Sequence, residues 1–131
     1  MSGPGSNEEI DLADIIGEVD AAFERYEAAL RQGDQAVLDE LFWDDERVVR
    51  FGIAENLYGK AAITAFRKLD SAGPRERRVV RKQITTFGAA FAIVNAEIAG
   101  KAGVSRQSQS WVRLPGGWRI AGAHVSRPLE R

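Results

Sequence analysis

The order of patterns along the chain predicts an α+β fold: helices first, then a curved antiparallel sheet folded over them to form a pocket. Two observations carry this. Apolar residues recur at helical spacing from Glu8 to Arg31, and beyond Pro74 the chain breaks into four β-rich runs separated by glycines at hairpin intervals. Alternating strands and helices would instead have predicted a parallel sheet.

In the first segment Leu12, Ile15, Ile16, Val19, Ala22, Phe23, Tyr26, Ala29 and Leu30 make one apolar stripe, and Gly33 closes the helix. Asp34 is placed to cap a short second helix through Leu41, with Phe42 and Trp43 closing one end of the core. Asp44-Asp45 predict a turn and Arg47 to Ile53 a short strand. Gly59 precedes a third helix, Lys60 to Leu69, stopped by Ser71-Ala72-Gly73-Pro74. Val79–Phe87, Phe91–Ala99, Val104–Leu114 and Trp118–Ser126 then have strand length.

The chain has 131 residues, enough for one domain, expected over 8–131 with 1–7 a loose tail or cloning remnant. Its net charge of −1 argues against a nucleic-acid surface. The absence of cysteine excludes disulfides, thiolate metal sites and a cysteine nucleophile. No run approaches the length of a membrane span and the start lacks a signal-peptide pattern, so a cytoplasmic location is expected. Neither GxxxxGK[ST] nor GxGxxG occurs.

Strand alternation divides each late run into two faces. Trp118, Ile120, Gly122, His124 and Ser126 share one face of the last run; Gln107, Gln109 and Trp111 oppose Arg106 and Ser108 in the run before; Phe91, Ile93, Asn95 and Glu97 share a face in the second. Polar and large apolar residues thus occupy the same faces. Either they are solvated, or the sheet curves so that they converge in a cavity. Tyr26 lies on the buried stripe and needs a partner for its hydroxyl, a backbone carbonyl or a pocket group. Arg50, inside Val48-Val49-Arg50-Phe51, must pair with Glu46, Glu55, Glu97 or an anionic ligand if buried. His124, the sole histidine, lacks a triad or metal-ligand pattern around it. The basic stretch Arg75 to Lys82 predicts a solvated edge strand.

Read together, AAFERYEAAL, LDELFW, VVRFG, ENLYG, AITAFR, RQSQSWVR and GWRIAGAHVS, in unbroken order from about residue 15 to residue 127, resemble the AtzH-like family. That family includes oxalurate-catabolism proteins of the HpxZ type and belongs to the nuclear transport factor 2-like (SnoaL-like) superfamily. The resemblance implies a cone-shaped, cystatin-like α+β roll with three N-terminal helices in a strongly bent antiparallel sheet, commonly a homodimer. It implies a catalytic pair at Tyr26 and Arg50, and an activity that removes carbon dioxide from N-carboxylated ureas such as 1,3-dicarboxyurea, leaving allophanate. The chain departs from the family at Ser105, Ala89-Ala90, Ile98 and Lys68 to Arg77, which are expected to line or border the pocket.

On this reading Arg50 clamps a carboxylate two-pronged, with Arg67 or Arg106 assisting, and Tyr26 gives a proton to the nitrogen as the C–N bond breaks. His124 and Gln109 orient the urea carbonyl, Glu97 holds Arg50 or a water, and Trp111 completes the substrate-binding set. The expected reaction requires no metal or organic cofactor, and the expected partners are a small anionic substrate and a second copy of the chain. Two other readings share these residues: a non-catalytic anion-binding or dimerisation module, and a ketosteroid-isomerase-like proton transfer with Glu97 as the base.

Overall fold

The computed structural model describes residues 9–69 and 73–129; the tail at 1–7 and Ser71-Ala72 of the expected helix stop lie outside them. Helix α1 (Ala13–Gln32) starts five residues later than Glu8. The residues before it pair with the sheet instead. Ile10 bridges Phe87, the Asp11 N–H donates to the Thr86 carbonyl at 3.0 Å, and the Thr86 N–H donates to the Asp11 carboxylate at 2.9 Å. At the other end Gly33 takes φ 73° as a left-handed C-terminal residue. A Cβ there would stand 2.9 Å from the Gly73 and Pro74 backbone, so this glycine also lets the chain entering the sheet lie against the helix end.

Asp34 accepts from the Val37 N–H at 3.2 Å and opens α2 (Gln35–Leu41), as its capping chemistry predicts. Helix α3 (Lys60–Leu69) has the expected bounds. Its Lys60 ammonium donates to the Asp39 and Phe42 carbonyls, tying it to the end of α2.

Six strands form one sheet in the order β2-β1-β6-β5-β4-β3. These are β1 (Val49–Phe51), β2 (Asn56–Tyr58), β3 (Arg77–Phe87), β4 (Phe91–Gly100), β5 (Gly103–Leu114) and β6 (Gly117–Ser126). The strand expected over Arg47 to Ile53 shortens to three residues because the chain reverses at Gly52, whose N–H donates to the Glu55 carbonyl at 2.8 Å. The reversal creates β2, which the sequence did not announce. Because β1 runs parallel to β6, the sheet is mixed, not wholly antiparallel. β3 is an edge strand, as its charge run predicts, yet Lys82 turns back over the helices to meet Asp20 at 2.6 Å and Glu24 at 2.9 Å.

The helices pack on the sheet's inner face, where Val19, Phe23, Ile63, Val94, Trp111 and Ile120 are completely buried. Burial of one side chain such as Phe23 contributes about 1.5–3 kcal/mol. Two bulges set which residues join this face. Val79 pairs with Ile98 and Arg81 with Glu97, leaving Val80 extra; Gly122 pairs with Ser110 and Ile120 with Trp111, leaving Ala121 extra. A single extra residue reverses the alternation beyond it. Trp118 and Ile120 therefore point inward, but so do Ala123 and Val125, and His124 turns outward.

Candidate functional site

Between the C-terminal half of α1, α3, the β1–β2 turn and one end of the sheet lies a cavity of about 340 Å³. α1 supplies Tyr26 and α3 supplies Arg67, four residues after the buried Ile63 and so on the same face of the helix. β1 supplies Arg50, which aligns with the inward Ala123. The turn contributes Ile53, Ala54 and Glu55; the segment entering the sheet contributes Arg75 and Arg77; β5 and the chain end contribute Ser105, Gln107 and Arg127. Five arginines and a single carboxylate, Glu55, line this space among the described residues.

Tyr26 is 4% exposed, with its ring edge-on to Phe42 at 6.1 Å. The partner of its hydroxyl is Arg67, whose Nη2 donates to the phenol oxygen at 3.0 Å, and not a backbone carbonyl. Arg50 lies over the Phe66 ring and donates from Nη1 to Glu55 Oε1 at 2.8 Å, so of the acids considered it is Glu55 that answers it. Glu55 in turn rests on Gly52, where any Cβ would meet its Oε1 at 1.8 Å.

Behind this wall the carboxylate of Glu27, fully buried, accepts from Arg77 Nε and Nη2 at 3.0 and 2.9 Å and from Gln107 Nε2 at 3.0 Å. The two-pronged pair neutralises a charge that burial would otherwise disfavour. It also fixes Arg77 and Gln107 on the cavity wall. Burial, together with the neighbouring guanidinium groups of Arg67, Arg77 and Arg50, presses the Arg75 pKa below its usual range. The five guanidinium groups thus outnumber the carboxylates that answer them among the described residues. An anion is what such a volume attracts.

Of the residues proposed from sequence, Tyr26, Arg50 and Arg67 meet at the cavity and the rest do not. Glu97 and Arg106 pair in register on the outer face of the sheet, where both are exposed and border a groove of about 310 Å³. The alternation of β4 was correct, but Phe91, Ile93, Asn95 and Glu97 occupy its solvent side. His124 is exposed on that same face, edge-on to Phe51 at 5.6 Å, because the bulge at Ala121 reverses its direction. Gln109 and Trp111 do face inward, but they pack in the core away from the cavity, with Trp111 Nε1 donating to Gln109 Oε1 at 3.0 Å. Among the positions where the chain departs from the pattern it resembles, Ser105 lines the cavity, Ile98 borders an adjoining hollow, and Ala89-Ala90 lie in the β3–β4 turn away from both.

Sequence reasoning missed Glu27, Arg75 and Arg77. Glu27 falls four residues after Phe23, so helical spacing alone could have found it on the buried stripe. Among the described residues no three His, Cys, Asp or Glu side chains are grouped to hold a metal ion, and no helix is long and apolar enough to cross a membrane.

A family model described as AtzH-like matches residues 8–130. A protein of unknown function from the DUF3225 family of Pectobacterium atrosepticum is 46% identical, superimposes with a TM-score of 0.88, and is matched over 95% of this chain and 98% of its own. A cystatin-like fold protein from Burkholderia xenovorans is 41% identical over 92% of this chain and 98% of its own, with a TM-score of 0.85. An NTF2-like protein of unknown function from Pseudomonas putida is 20% identical over 98% of this chain and 92% of its own, with a TM-score of 0.75, a likeness of fold alone. None of the curated proteins matches the chain.

Proposed function

The chain belongs to the AtzH-like family, and from that premise we propose that it removes carbon dioxide from N-carboxylated ureas, of which 1,3-dicarboxyurea is the type. The observation that carries the reading is that the Tyr26 phenol and the Arg50 guanidinium share the wall of one small cavity with a cationic surplus. A substrate with a carboxylate on nitrogen is repelled by a dry apolar pocket and held by one lined with guanidinium groups. In the reaction the bond between the urea nitrogen and its carboxylate carbon breaks, and its electron pair remains on nitrogen. That nitrogen takes the phenolic proton of Tyr26, carbon dioxide leaves, and solvent returns a proton to the phenolate. Arg50 holds a carboxylate of the substrate as Glu55 moves aside. A positioned acid of this kind contributes about 10²- to 10⁴-fold.

Purified protein given 1,3-dicarboxyurea tests the reading, with allophanate and carbon dioxide measured. Tyr26→Phe is expected to lose roughly 10²-fold or more in kcat. Equal turnover by the two proteins removes Tyr26 as the acid, and no turnover by the parent leaves a non-catalytic anion-binding module. That second reading is favoured by one observation of its own: Arg50 already holds a carboxylate, that of Glu55. A ketosteroid-isomerase-like transfer has little support, since Glu97 lies on the opposite face from Tyr26 and Glu27 is committed to Arg77.

The same reading takes the chain as a homodimer through the outer face of its sheet. There Phe87 and Phe91 are 42% and 37% exposed, with ring centroids 6.3 Å apart. Sedimentation velocity at micromolar concentration decides this, and a species of monomer mass sinks it.

A further inference from the structure

We infer that Arg67 is the residue that seats a ligand carboxylate in this cavity and turns the Tyr26 phenol toward it. The inference deepens the reading above and rests on it for the identity of the site.

Each of the other wall cations whose bonds are described has an acid. Arg77 is held by Glu27 through two bonds and Arg50 by Glu55 through one. Arg67 has none. It is 4% exposed, no described carboxylate lies within ion-pair distance, its Nη2 meets only the neutral phenol, and its Nε is buried without a hydrogen-bond partner. Its Cζ also lies 5.9 Å from the centroid of the Phe42 ring. A buried guanidinium is the group most in need of an anion, and its planar fork suits a carboxylate. Because Glu55 already engages Arg50, Arg67 is the cavity cation that can take a ligand carboxylate without displacing a described one.

Arg67 also fixes the direction of the phenol. A guanidinium can only donate, so the Tyr26 oxygen is the acceptor of that bond. The phenol's own proton then has to find a different acceptor. No described group accepts it, and a carboxylated nitrogen seated against Arg67 stands where one is wanted. Arg67 is therefore a binding residue for the anion and a positioning residue for the proton donor.

The experiment is calorimetric titration of malonate and of acetate into the parent, Arg67→Met, Arg67→Lys and Arg67→Ala proteins, with melting temperatures alongside. The parent is expected to bind malonate, and Arg67→Met to bind it roughly 10- to 100-fold more weakly. The Arg67→Met melting temperature should equal or exceed the parent's, because an unanswered buried charge has been removed. A merely structural Arg67 would lower it. Arg67→Lys, which keeps the charge without the fork, covers the case in which Met does not fold, and is expected to bind several-fold more weakly than the parent. Millimolar guanidinium chloride should restore malonate affinity to Arg67→Ala, an effect that repair of packing would not give. Parental affinity in Arg67→Met or Arg67→Lys, failure of guanidinium to rescue, or no malonate binding by the parent overturns the assignment. None of these measurements needs turnover. A protein that binds malonate through Arg67 but leaves dicarboxyurea intact sinks the reaction and keeps the anchor; parental turnover by Arg67→Met does the reverse.

Discussion

Arg77→Met tests whether the buried ion pair behind the cavity is a structural brace. Glu27 has no exposure and three accepted hydrogen bonds, two of them from Arg77, whose own side chain keeps 17% of its surface. Removing one partner of a buried pair destabilises by about 3–5 kcal/mol, because the remaining charge is stranded. Here Gln107 still donates to Glu27, so the expected loss lies at the low end, about 3 kcal/mol. The reverse change is milder. Glu27→Gln leaves Arg77 able to reach cavity water and retains an acceptor for Gln107, for a loss of about 1–2 kcal/mol. The double variant Glu27→Gln/Arg77→Met strands no charge, keeps an acceptor for Gln107, and is expected to recover much of the single Arg77→Met loss, giving a coupling of a few kcal/mol. Urea unfolding followed by tryptophan fluorescence measures all three, with the slope on denaturant unchanged. Against a total stability on the order of 5–15 kcal/mol, the Arg77→Met loss is large. If Glu27→Gln costs more than Arg77→Met, or if the two losses simply add, the asymmetry argued from burial is wrong.

Two further outcomes follow from local geometry. Glu55→Gln should raise malonate affinity by about threefold to tenfold, since Arg50 loses its internal carboxylate, and Gly52→Ala should act in the same direction because its Cβ displaces Glu55; titration of both variants checks this, and weaker binding in either refutes it. Asp45 accepts from the Arg47 side chain and backbone N–H, which hold its pKa down at about 2. A folded value below the unfolded one makes the contribution complete above about pH 4 and lost as pH falls through about 2. An NMR titration of the Asp45 carboxyl carbon should show that low midpoint in the parent and a higher one in Arg47→Ala; identical midpoints would remove Arg47 as the cause.

The elements were largely legible because their signals are local. Helix α3 and the four long strands follow from periodicity and glycine spacing, and the sequence bounds hold to within two residues. The start of α1 was not legible: Ile10 and Asp11 fall within the stretch of helical spacing but pair with Phe87 and Thr86, a tertiary choice that spacing cannot express. The site was legible in part for the same reason. Tyr26 and Arg67 sit at helical intervals from buried residues, and Arg50 interrupts an apolar run. His124 was misassigned because strict alternation was carried across Ala121, and Glu97 and Arg106 because alternation says which residues share a face but not which face is inside. Arg77 was lost in a run of charges whose even composition hides that it shares its phase with Val79.

The extra residue at Ala121 makes the final strand two strips with independent phase. Substitution before it changes what Trp118 and Ile120 touch; substitution after it exchanges residues between the interior side of Ala123 and Val125 and the solvent side of His124. Loss of that one residue from a relative would swap those two sets at a stroke. The imidazole would then face the helices, and two small apolar groups would face water. Divergence of function in this lineage could therefore arise from a change of chain length by one, with every side chain involved already present.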